Sequence, residues 1–273
     1  QPPLSSPRLR PGRDRLKRYY LGYETSQELG LTLHHLSAVE QGPMPAIIFL
    51  HGFTGSKEHH LPLRLALADL GYLVVSFDAR DHGDRLSLPE LWNRCRECFL
   101  DTFLGILMDT VDETVRVFGH LRASSGVDPQ RIGLVGGSMG AMIGLMSIPR
   151  LPGLRAAVTM AGTTDLLRWQ EETMGHEHYQ FQKGEAGAAT RSRLESYEAI
   201  PRAAAFYPVR LLMVHGGSDR IVPPRGQRQL YRRLRPFYAG EPSRLKCSVY
   251  PGLEHDTSPA LLEEVYAWLR KHL

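Results

Sequence analysis

The sequence predicts an α/β protein with a mostly parallel central sheet and helices on both faces. Three observations lead there. Short, uninterrupted apolar runs recur along the chain, as strands covered on both sides require. Amphipathic stretches with helical spacing separate them, and that alternation builds parallel sheets. At 273 residues the chain can bury such a sheet within one domain.

Residues 1–16 are rich in Pro and Arg without hydrophobic period and read as an N-terminal arm, followed by a single domain over 17–273. Lys17 to Tyr23 and Leu29 to Val39 read as an antiparallel pair at a sheet edge, joined by a turn at Ser26 to Gly30. Ala46 to Leu50 is a buried strand. Ser56 to Leu70, with leucines at 61, 63, 65, 67 and 70, reads as a helix closed by Gly71. Tyr72 to Phe77 is the next buried strand and Phe103 to Leu121 a long amphipathic helix, whereas Pro89 to Asp101 fits neither pattern. The apolar run from Ile132 enters the turn Gly136-Gly137-Ser138-Met139-Gly140, and a helix follows to about Ile148. Leu154 to Ala161, Val209 to His215 and Leu245 to Tyr250 are further strands of buried type, before a closing helix at Ala260 to Leu269. Between Gly162 and Tyr207 the alternation stops, and a helical cap insertion is expected over about 163–207.

Composition excludes several classes of function. No apolar run approaches the ~18 residues of a membrane span, so none is expected. The net charge is +4, but the basic residues are scattered. In the dense stretch Arg225 to Arg235, Arg228, Arg232 and Arg235 recur at helical spacing and read as a solvated face, so no nucleic-acid partner is expected. Three cysteines make no disulfide framework, and Cys95 and Cys98 lack the second pair of a zinc site. His51, His59 and His60 lack the carboxylate spacing of a metal helix. Neither metal nor cofactor is expected, and reduced-looking cysteine usage points to the cytoplasm.

The chemistry converges on Ser138. Glycines two positions before and after it suit a strained strand-to-helix turn that presents a nucleophile. A plain turn whose serine caps the helix fits the same five residues, so partners must decide. Serine near neutral pH needs a base for its proton and an acid to orient that base. Asp219 and His255, each in a loop after a strand, fill those roles in the order Ser, Asp, His. Asp165 and Asp256 are competing acids.

These motifs together resemble the α/β-hydrolases from about Ile47 to Leu269. They are His51-Gly52-Phe53-Thr54-Gly55, the Ser138 pentapeptide, His215-Gly216-Gly217-Ser218-Asp219-Arg220-Ile221-Val222-Pro223 and Gly252-Leu253-Glu254-His255. Continuation of the first motif through Ser56-Lys57-Glu58, with Asp78-Ala79-Arg80-Asp81-His82-Gly83, resembles the dienelactone-hydrolase-like and prolyl-oligopeptidase-like branch, especially small bacterial YjfP-type carboxylesterases. Dienelactone hydrolases carry cysteine at the Ser138 position, and many relatives carry Gly where Asp81 stands. The resemblance implies a nucleophile at Ser138, a base at His255, an orienting acid at Asp219, and an oxyanion hole from the backbone N–H groups of Phe53 and Met139. It implies cleavage of a small-molecule carboxylic ester through an acyl-enzyme. Phe53, Trp169, Tyr179 and Phe181 are the expected pocket for short to medium acyl groups. Peptide or thioester cleavage, and a binding protein without chemistry, stay open as alternatives, as does the oligomeric state.

Overall fold

The structure is a computed structural model and describes residues 18–38, 42–173 and 185–273. Its centre is one eight-stranded sheet: β1 (Tyr20–Ser26), β2 (Leu31–Ser37), β3 (Met44–Leu50), β4 (Leu73–Phe77), β5 (Val127–Gly137), β6 (Ala156–Met160), β7 (Arg210–Gly216) and β8 (Leu245–Tyr250). Their spatial order is β1-β2-β4-β3-β5-β6-β7-β8. β1 and β2 join antiparallel, and every pairing from β4 to β8 is parallel.

Strand alternation explains how one apolar run serves two layers. Ile47 and Phe49 face α1 (Leu61–Asp69) and α7 (Pro259–His272), joining Leu63, Leu67, Leu261, Val265 and Leu269. Ala46, Ile48 and Leu50 face the other side, with α2 (Leu88–Ala123), α3 (Met139–Ser147) and α6 (Arg225–Leu234). Both faces are dry because successive side chains point oppositely. Two short helices, α4 (Leu166–Thr173) and α5 (Ala188–Glu195), lie between β6 and β7. Within this segment Tyr197 donates to Asp112 of α2 at 2.7 Å and Arg193 bonds Asp109 at 2.6 Å.

Several boundaries differ from the sequence reading. The first helix begins at Leu61 because His60 adopts a left-handed conformation (φ 56°) that a helix from Ser56 cannot contain. Pro89 to Asp101 is helical, part of α2, which kinks at Cys98 (φ −155°, ψ 95°). Its start carries a capping box in which the Ser87 hydroxyl accepts from Glu90 N–H and the Glu90 carboxylate from Ser87 N–H. β8, expected as a buried strand around Cys247, is the sheet's last strand and only half-buried along most of its length, since β7 alone pairs with it among the described residues. The expected arm at 1–16 lies outside the described residues.

Two buried polar groups anchor the loops after β3 and β4. The Lys57 ammonium, 2% exposed, donates to Asp78 Oδ2 at 2.8 Å and to Asp84 Oδ2 at 2.6 Å, while Lys57 N–H donates to Asp78 Oδ1 at 2.7 Å. Burial opposes the charge, but these carboxylates outweigh it and raise the lysine pKa. His51, 2% exposed, accepts the Ala79 N–H at Nε2 (3.0 Å), which puts its proton on Nδ1 for donation to Gly52 O (2.8 Å). Burial lowers its pKa to about 4, so the ring is neutral.

Removing one partner of a buried pair leaves the other charge uncompensated. Lys57→Met is therefore expected to cost about 3–5 kcal/mol in urea unfolding, and an unchanged midpoint would show that the pair carries no stability. The His51 pKa lies below its unfolded value of 6.5, so its contribution is complete above pH 6.5 and is lost as pH falls towards 4. Between pH 7 and 5 the wild type should lose up to about 2 kcal/mol more than His51→Gln; equal losses would mean that His51 is not held neutral.

Candidate active site

The chain leaves β3 towards β4 on one side and later builds β5 on the other, so the crevice between the ends of β3 and β5 is a topological switch point. Ser138 stands there, between β5 and α3, with φ 53° and ψ −117°. A positive φ on a residue with a side chain costs of order 1–3 kcal/mol. Surrounding bonds hold it: Ser138 N–H donates to Met160 O at 2.8 Å, and Ser138 O accepts from Ala141 N–H and Met142 N–H. The glycines of the turn are needed for space. A methyl on Gly140 would lie 2.1 Å from the Leu50 carbonyl oxygen, and one on Gly136 would lie 2.3 Å from Gly140 O. A side chain at Gly140 would force the turn away from β3, and one at Gly136 would force β5 away from the start of α3.

The loops after β7 and β8 meet in the same way. A methyl on Gly216 would lie 2.1 Å from Glu254 O, while Gly217 N–H donates to Tyr250 O and Ser218 N–H to Leu253 O at 2.9 Å. This contact carries His255 over Asp219. His255 Nδ1 is 2.7 Å from Asp219 Oδ2, and its Nε2 is 2.9 Å from Ser138 Oγ. The sequence-predicted Ser138, Asp219 and His255 are thus one hydrogen-bonded chain.

Asp219 is built to stay ionised. Its Oδ1 accepts from Ile221 N–H at 2.9 Å and Val222 N–H at 2.8 Å. Burial works against the charge, but bonds from His215 and His255, with that of Val222 N–H, outweigh it and hold the carboxyl well below its ordinary range. An anionic Asp219 keeps the proton on His255 Nδ1 and leaves Nε2 free to accept from the serine hydroxyl. His215 was read from the sequence only as part of a motif. It is fully buried, with Nε2 3.3 Å from Asp219 Oδ2 and 2.6 Å from Val222 O, and Nδ1 3.2 Å from the Gln227 side-chain amide. Gln227 carried no sequence signal, because its role depends on α6 packing back under β7.

Met139 N–H is among the first-turn donors that α3 leaves without an intrahelical acceptor. Phe53 N–H lies in the loop whose Gly52 carbonyl is turned back to His51 Nδ1 and Gly55 N–H. Beside Ser138 opens a cavity of about 360 Å³, whose wall includes Gly52, Gly137, His255 and the first turns of α1 and α7.

Phe53 and Trp169, expected at the pocket, lie outside the wall of this cavity because their rings are engaged elsewhere. Phe53 meets Trp92, Phe99 and Phe103 edge-on, with centroids 5.5 to 6.1 Å away. Trp169, 6% exposed, packs on Phe99 and Phe103 and donates to Ile221 O at 2.8 Å. Tyr179 and Phe181 lie outside the described residues. Asp165 immediately precedes α4, its carbonyl accepting Trp169 N–H, and Asp256 accepts Thr257 N–H; the carboxylate bonded to His255 is that of Asp219. His59 accepts Ser56 N–H at 2.7 Å. Asp81 has φ 59°, a left-handed conformation that glycine adopts at lower cost. Cys95, Cys98 and Cys247 are free thiols. Among the described residues no group of three or more His, Cys, Asp or Glu is placed to hold a metal ion, and no helix is long and apolar enough to cross a membrane.

Comparison with known proteins agrees with this architecture. Esterase YjfP of Escherichia coli is 30% identical over 234 residues, spanning 85% of this chain and 90% of its own. A monoacylglycerol lipase of Mycolicibacterium smegmatis is 26% identical over 272 residues, spanning 85% and 90%. The crystal structure of TT1662 from Thermus thermophilus shares the fold, with a TM-score of 0.74 over 93% of this chain and 98% of that one at 24% identity. The model of the prolyl oligopeptidase family matches residues 108–273, the part that carries Ser138, Asp219 and His255. With that match and the YjfP relationship, the chain belongs to the prolyl oligopeptidase family of α/β-hydrolases.

Proposed function

We propose that the protein hydrolyses carboxylic esters through an acyl-enzyme at Ser138. The observation that carries this reading is the chain of bonds from Ser138 Oγ to His255 at 2.9 Å and from His255 to Asp219 at 2.7 Å, beneath a serine held at positive φ. His255 Nε2 takes the hydroxyl proton as Oγ attacks the acyl carbon. The oxyanion that forms is received by the N–H groups of Phe53 and Met139, a type of contact worth about 10²–10³ in rate per donor. His255 then gives its proton to the departing alkoxide, and the Oγ–acyl bond replaces the acyl–alkoxy bond. Water activated by the same histidine releases the acid. Asp219 stays anionic throughout and stabilises the imidazolium. The names of YjfP and the monoacylglycerol lipase support an ester as substrate, and the family's name keeps peptides as the second reading.

A fluorophosphonate probe should label Ser138, and Ser138→Ala should lose both labelling and ester hydrolysis; labelling elsewhere, or surviving activity, would reject the assignment. Asp219→Asn should keep the fold but lower kcat by about 10⁴, because the neutral amide no longer fixes the tautomer of His255. Aryl esters of increasing acyl length, peptide amides and acyl thioesters measured side by side should rank the esters first. A higher kcat/KM for the amides would turn the reading to peptide cleavage.

A further inference from the structure

The cavity beside Ser138 lies on one particular side of the nucleophile. Its wall holds His255, Asp256 and Thr257 and touches the oxyanion loop only at Gly52, whereas Phe53 and Met139, the proposed oxyanion donors, are absent from it. Its apolar surface comes from Phe49, Pro62, Leu63, Met160, Leu261 and Leu262, of which Phe49, Met160 and Leu261 are at most 5% exposed. These side chains belong to β3, β6 and the first turns of α1 and α7, so the space is bounded by the frame of the fold. His60 closes one rim, its ring 6.0 Å from that of Phe49, and burial lowers its pKa, so the rim favours the neutral ring.

Stereochemistry assigns the space. In the tetrahedral intermediate the acyl carbon carries Oγ, the oxyanion, the leaving oxygen and the acyl chain. The leaving oxygen must come within hydrogen-bond reach of His255 Nε2, the group that returns the proton. Whatever is attached to that oxygen therefore continues past His255, towards Thr257, Leu261 and Leu262. We infer that this cavity is the leaving-group site, and that it selects esters whose alcohol part is apolar and extended. The inference rests on the ester hydrolysis proposed above and adds which half of the substrate the cavity reads. An apolar wall with a thin polar rim rewards each buried methylene.

The test uses two series of alkyl esters. One keeps the acetyl group and lengthens the alcohol from ethyl to hexyl; the other keeps the ethyl group and lengthens the acid from acetate to hexanoate. Unbranched alcohols leave with nearly equal intrinsic ease, so the first series reports binding. In the wild type kcat/KM should rise roughly fourfold per methylene along the alcohol series until the cavity is full. Leu262→Trp, which fills the cavity, should bring that slope below about twofold per methylene and leave the acyl slope as it was. Thr257→Trp, from the exposed side of the same wall, is the second variant should the first not fold, and fluorophosphonate labelling of Ser138 reports folding in both. A wild type that is not labelled overturns the hydrolase reading and this inference with it. A labelled wild type with a flat alcohol series, or a variant whose acyl slope collapses instead, overturns this inference and leaves the hydrolase reading intact.

Discussion

At the carboxyl end of the sheet, backbone lies directly against backbone, and the site depends on that contact. Gly140 lies under the carbonyl of Leu50, and Gly216 under those of Leu253 and Glu254. The first contact seats the Ser138 turn against the loop after β3; the second seats the His255 loop on the Asp219 loop. Hydrogen bonds of 2.9 and 2.7 Å from His255 tolerate little displacement, so a single methyl at either glycine would separate groups that stand far apart in the chain. The rigid parallel strands behind these turns are what convert close contact into alignment.

A second layer of polar contacts holds the loops that the strands do not reach. Lys57 with Asp78, and His51 with Ala79, tie the loop after β3 to that after β4. Arg85 carries the tie onward, bonding the Asp78 carbonyl and gripping Glu113 of α2 with both terminal nitrogens at 2.7 and 2.8 Å. Fully buried Arg64 bonds Lys57 O and His34, and burial lowers its pKa to about 10. Charges buried this way add little net stability beside an apolar core of equal volume, but they fix position. The proposed oxyanion loop is therefore held by groups that lie outside the wall of the cavity beside Ser138.

Much of this was legible in the sequence, for identifiable reasons. Ile47, Val74, Leu134 and Val158 sit in strands dry on both faces, and such strands announce themselves as unbroken apolar runs. Ser138, Asp219 and His255 could be picked out because each follows the end of a strand in a parallel sheet, which makes loop positions comparable. Lys57 and Arg64 were not legible as buried groups, since their partners Asp78 and His34 lie 21 and 30 positions away and only the folded chain brings them together. Glu90 was a missed local signal: a serine three residues before it announces a helix start. Trp169 illustrates a deeper limit. An aromatic residue near a site reads alike whether it lines a cavity or packs on other rings, and Trp169 packs on Phe99 and Phe103 outside the wall of the cavity beside Ser138.

The walls of the cavity have a consequence for how this enzyme family member can diverge. Leu63 and Leu261 line the space beside Ser138 and at the same time pack the layer of α1 and α7 on the sheet. A change that enlarges or reshapes the space there also removes packing, at about 2–5 kcal/mol for a leucine cut to alanine, in a fold with only a modest reserve. Adaptation to a new compound on that side is thus coupled to heat tolerance. Descendants that shift preference there need a compensating stabiliser first, and surviving lineages should carry the two changes together.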